Sequence, residues 1–159
     1  MPGRDSDHID SIVAQWRRER PELDVSALAL LGRLFRAAHL ADLALAEGTA
    51  SHGLQPGWFD LLAVLRRAGP PCELRPTDLM EATMLSSGGI TKRLDRLQEA
   101  GLVERRPNPD DRRGALLRLT RKGRAVIDRA LETHIANEEL LLQPLSPAEL
   151  QAQIIVINF

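Results

Sequence analysis

SSGGITKRLDRLQEAGLVERRPNPDDRRGALLRLTRKGR, residues 86–124, is the stretch whose reading decides the fold. Ile90, Leu94 and Leu97 recur at i, i+4 and i+7, the spacing of one buried helix face. Gly101 stands where a left-handed residue ends such a helix, and Ser86 or Ser87 can cap its start. A helix is therefore expected from Ser86 to Ala100. Leu102–Arg106 and Ala115–Leu119 flank the polar turn 107–114, which predicts a β-hairpin. Thr120 then caps a long helix reaching to about Leu142.

Just upstream, Thr77 is expected to cap a short helix, Asp78–Thr83, followed by a tight turn through Met84 and Leu85. Two helices joined so closely form a helix-turn-helix, and a hairpin directly behind the second is a wing. Further out, Ser6 or Asp7 caps a first helix carrying Ile9, Ile12, Val13 and Trp16, closed by Pro21. A second helix runs from Ser26 to about Glu47, with a loop from Gly48 to Gly53. Pro56 fits the first position of a third helix, which ends at Gly69-Pro70-Pro71, and Cys72–Arg75 is extended. Ser146 and Glu149 have capping-box spacing for a last helix, although the β-branched end Gln151–Phe159 is short for one. The expected fold is mainly α with a small β-hairpin wing. Residues 1–53 and 121–159 supply a helical dimerisation region around a winged helix-turn-helix lobe at 54–120, in one continuous unit.

Charge sharpens this reading. The net charge of −1 conceals eleven Lys/Arg against five Asp/Glu between Ser86 and Arg124, a local charge of +6. A basic element on an acidic body presents one face to phosphate and repels it elsewhere. On the outward side of the second helix stand Ser86, Ser87, Thr91, Lys92, Arg93 and Arg96, residue types that suit base edges and phosphates. Arg112 and Arg113 at the wing tip suit a minor groove, with Asp111 placed to orient Arg113. A solvated face would carry similar charges, and a winged helix that has become a protein-interaction module is the rival reading.

Residues from about Leu54 to Gly123 resemble the MarR family of bacterial winged-helix regulators. The resemblance rests on Asp111–Thr120 with Gly123, and on Ser86–Val103 with Thr91, Arg96-Leu97 and Gly101-Leu102-Val103. It implies a homodimer joined through N- and C-terminal helices that binds pseudo-palindromic operators in double-stranded DNA, usually as a repressor. Trp16–Asp24 and Gly57–Leu62 are similar to the PecS and urate-responsive branch of that family. That branch implies a pocket for an anionic aromatic effector such as urate, to which Trp16, Asp60 and Arg106 would contribute here. Read as residues alone, Trp16 fits a core position and Asp60 an ordinary salt bridge.

No nucleophile–base pair, phosphate loop or metal-site spacing is present, so no enzyme, cofactor or metal is expected. The single cysteine, Cys72, suits a buried thiol and a reducing cytoplasm, and no stretch has the length and apolarity of a signal peptide or membrane span.

Overall fold

In a computed structural model the chain is described over residues 7–83, 89–109, 111–146 and 148, with backbone alone at 111–113. It divides into two compact units, Met1–Ala44 and Leu45–Phe159, with the boundary inside a helix.

The first unit contains α1 (His8–Glu19) and most of α2 (Ser26–Ala50). Asp7 caps α1 in a full capping box: its carboxylate accepts from the Asp10 backbone N–H at 2.9 Å, and Asp10 reciprocates at 3.1 Å. Arg33 of α2 reaches the same corner, donating to Asp7 at 2.8 Å and also binding Asp10. The Asp10 backbone N–H and Arg33 hold the Asp7 carboxyl below the ordinary value of 3.8, and Arg33 chiefly does the same for Asp10. Carboxylates lowered in the folded state stabilise it fully above pH 3.8, and that contribution is lost as pH falls through their lower folded values. In an acid titration followed by circular dichroism, Arg33→Ala is expected to start losing helix at a higher pH than the parent. Coincident acid limbs would show that Arg33 does not anchor α1.

The second unit holds α3 (Trp58–Arg67), β1 (Glu73–Leu74), α4 (Pro76–Glu81), α5 (Ile90–Glu99), β2 (Val103–Asn108), β3 (Asp111–Leu119) and α6 (Arg121–Leu142). The strands form one antiparallel sheet in the order β1-β3-β2. Leu61, Leu65, Leu79, Leu97, Leu117 and Ile127, all fully buried, bring α3, α4, α5, β3 and α6 into one core. Across the α3–α6 seam Phe59 stacks on His134 with ring centroids 4.3 Å apart, and Arg66 donates to Asp128 at 2.6 Å. Cys72 is buried in this core.

Several boundaries differ from the sequence expectation, each for a local reason. The helix α2 continues through Gly48 to Ala50, and glycine stands at 48 inside it because Asn137 of α6 packs where a Cβ would be. The start of α3 is Trp58, not Pro56: a turn closed by the Trp58 N–H on the Gln55 carbonyl (3.0 Å) puts Gly57 at the N-cap in a left-handed conformation, φ 76°. Pro56 belongs to that turn. Thr77 is not the cap of α4, which begins at Pro76 behind Arg75. The N-cap of α5 is Gly89, φ 85°, whereas Ser86 and Ser87, expected to cap it, lie outside the described residues. Glu149 and the C-terminal tail also lie outside them.

Candidate nucleic-acid interface

The geometry of α5 follows from its sequence. Ile90, Leu94 and Leu97 are buried, which turns Thr91, Lys92 and Arg96 to the exposed side. Arg93 is half-buried instead: its side chain lies over Gly57, where an added Cβ would meet Nε at 3.0 Å. The helix ends in a Schellman motif, the Gly101 N–H donating to Gln98 (2.9 Å) and the Leu102 N–H to Leu97 (3.0 Å). Gly101, φ 69°, is the left-handed residue that the sequence required there. Lys122 donates to the Ala100 carbonyl at 2.8 Å, placing a cation on the helix C-terminus.

The wing is longer than its sequence suggests. Pairing extends to Asn108↔Asp111, with a register shift after Pro107↔Ala115. Arg112 and Arg113 fall in the three β3 residues between those two pairs, so their backbone lies within a bulged strand next to the turn, not inside the turn. Their side chains lie outside the described atoms.

Strand alternation separates the two arginines of β2. Arg105 shares a row with Leu117 and Leu74 on the face that carries the buried leucine, and it pairs there with Asp95 of α5 at 2.7 Å. Arg106 pairs in register with Leu116 on the other face, lining a groove of about 370 Å³ with Glu73, Pro107 and Pro109. On that face Arg118 stands in register between Glu73 and Glu104. Two cations counted in the sequence therefore already have intramolecular roles: Arg105 on an acid and Lys122 on a helix end. Arg105 was the functional candidate that sequence reasoning missed. An arginine at an inward strand position was its signal, since such a group needs a partner.

The expected effector residues fall in both units, Trp16 in the first and Asp60 and Arg106 in the second. Asp60 is half-buried in the first turn of α3 and is not among the described walls of the Arg106 groove. Trp16 belongs to the first unit, with nearly half of its surface exposed (46%). Among the described residues no group of His, Cys, Asp and Glu is placed to hold a metal, and no helix is long and apolar enough to cross a membrane.

Known proteins share this arrangement. The profile of the MarR family matches residues 52–114. The HTH-type transcriptional regulator PecS of Dickeya dadantii is 41% identical over 141 residues, spanning 89% of this chain and 85% of PecS. The chain belongs to the MarR family. It is accordingly a DNA-binding transcriptional regulator and not an enzyme. Among MarR-family structures, that of a MarR mutant from Escherichia coli complexed with operator DNA superposes with a TM-score of 0.71 at 26% identity, covering 96% of each chain. AbsC, a MarR family regulator from Streptomyces coelicolor, shares the fold with a TM-score of 0.74 at 24% identity, covering 86% of this chain and 91% of AbsC.

Proposed function

We propose that this MarR-family chain is a ligand-responsive repressor that binds a pseudo-palindromic operator as a homodimer. Residues 54–120 form the DNA-binding lobe, and 1–53 and 121–159 the dimerisation helices. The observation that carries the reading is the division of α5 into a buried apolar face and an exposed side bearing Thr91, Lys92 and Arg96, directly followed by the wing. Thr91 and Arg96 read base edges, Lys92 meets phosphate, and the N-terminal approach of Ser86 and Ser87 completes the major-groove contact. Arg93 braces the helix start as well as facing DNA, and Arg112 and Arg113 enter the minor groove from the wing. The operator complex of the E. coli MarR mutant supports this docking.

Dimerisation is supported by surface chemistry. Not one residue of α2 is buried in the single chain, although Leu28, Leu31, Leu34 and Phe35 recur along it. Leu131, Ile135 and Leu140 of α6 are likewise exposed. Faces this apolar are stable in water only when covered. As the resemblance of Trp16–Asp24 and Gly57–Leu62 to the PecS and urate-responsive branch implies, an anionic aromatic effector of the urate type acts through Trp16, Asp60 and Arg106. Its binding favours a separation of the two recognition helices that no longer matches half-sites about 34 Å apart.

Fluorescence anisotropy with DNA from upstream of this chain's own gene tests both parts. Tight, competitor-resistant binding is expected, falling steeply between about 50 and 200 mM salt. Lys92→Ala is expected to lower the salt slope by about one unit, and Arg96→Ala to weaken binding by about 10-fold and relax base preference. Urate is expected to raise the Kd. Weak binding at this and other promoters, displaced by any DNA, would favour the interaction-module reading, and indifference to urate would remove that effector alone.

A further inference from the structure

We propose that the Asp95–Arg105 ion pair is the strut that fixes the wing against the recognition helix, which makes both members positioning residues for DNA contact. The inference rests on the DNA-binding reading above and adds a role for two residues which that reading leaves unused. Three observations converge on it. Arg105 stands in the strand row of the fully buried Leu117, so its side chain is directed to the helix side of the sheet. Its Nη2 donates to Asp95 Oδ1 at 2.7 Å across the seam between α5 and β2. The same seam is an open groove of about 360 Å³ whose described walls are Asp95, Gln98, Glu99 and Arg105, all polar. No apolar wall appears among these, so the ion pair supplies the directional link across the groove.

The energetics separate a strut from a stabilising salt bridge. The two side chains are 53% and 47% exposed, and such surface pairs contribute little to global stability. A carboxylate on the exposed side of a DNA-reading helix also repels phosphate. On electrostatic grounds alone, neutralising Asp95 should tighten DNA binding. A strut requires the opposite: freeing Arg105 lets the hairpin swing, and α5 and the wing no longer engage one half-site together.

A double-mutant cycle on the full chain decides between these signs. Asp95→Asn and Arg105→Gln are each expected to weaken operator binding about 3- to 10-fold, with the double variant no weaker than either single one. The melting temperature should be unchanged, while hydrogen exchange of the amides in 103–119 quickens in all three variants. Tighter binding by Asp95→Asn, with Arg105→Gln alone losing affinity and about one unit of salt slope, would overturn the strut and make Arg105 a direct phosphate contact. Unchanged wing exchange in Asp95→Asn would overturn it as well. Should the parent bind no DNA specifically, the DNA reading fails, and wing exchange still decides whether the pair holds the hairpin.

Discussion

Gly123→Ala is expected to lower stability by about 2–3 kcal/mol, the scale of a forced overpacking, even though alanine favours a helix by about 1 kcal/mol. Gly123 is buried in the first turn of α6, where its N–H donates to the Thr120 hydroxyl at 2.9 Å. A Cβ there would overlap the Leu102 carbonyl oxygen and crowd the Leu102 backbone behind it. That backbone has little freedom to give way. The Leu102 N–H is bonded to Leu97, its carbonyl accepts from the Thr120 N–H at 3.1 Å, and Val103 beside it pairs with Leu119. In a domain of this size the change corresponds to a fall in Tm of roughly 5–10 °C. Gly32→Ala is the matched control. Its Cβ would have the Ile9 side chain as its nearest neighbour, at 3.3 Å, which can shift, so a melt within a degree or two of the parent is expected. Thermal denaturation by circular dichroism compares the two. A Gly123→Ala protein that melts with the parent would mean that α6 does not approach the α5–β2 junction this closely.

The same junction shows what the sequence could and could not convey. The buried face of α5 was legible because Ile90, Leu94 and Leu97 obey a period that only a helix satisfies. The exit was legible because Gly101 must adopt a positive φ. Cys72–Arg75 was legible as extended after the Gly69-Pro70-Pro71 break, whereas its partner was not: β1, Glu73–Leu74, lies on the edge of β3 at Glu73↔Arg118, far along the chain. The wing was read short because Pro107 and the Asp-Asp pair resemble a turn, whereas pairing continues past the proline through a bulge. Gly48 read as a loop residue because its reason for being glycine, the approach of Asn137, is separated from it by most of the chain. The candidate interface divided in the same way. Residue types and helical spacing identified Thr91, Lys92 and Arg96, since exposure on an amphipathic helix is a local property. Which cations are already committed is not local: Arg105 meets Asp95 only after the chain has turned, and Arg93 settles on Gly57 from a distant turn.

Phe35→Glu is expected to convert the dimer to a monomer and to weaken operator binding about 100-fold or more, the scale on which two linked half-site contacts exceed one. Phe35 is 69% exposed on α2, one turn beyond Leu31, and α2 contributes no buried residue in the single chain. A charge placed there leaves the core of Leu61, Leu97 and Leu117 intact, so the folded monomer should persist. In a covered apolar interface the same carboxylate would be desolvated without a partner, which costs several kcal/mol. Both subunits carry the substitution, so the penalty enters twice, together with like-charge repulsion wherever the two copies approach. Sedimentation velocity gives the mass, circular dichroism the fold, and anisotropy the affinity on full and half operators. Loss of affinity for the full operator with half-site binding preserved would assign α2 to dimerisation and leave DNA reading to the winged lobe. A Phe35→Glu protein that stays dimeric and binds as the parent does would place the interface elsewhere and leave the exposed face of α2 to another partner.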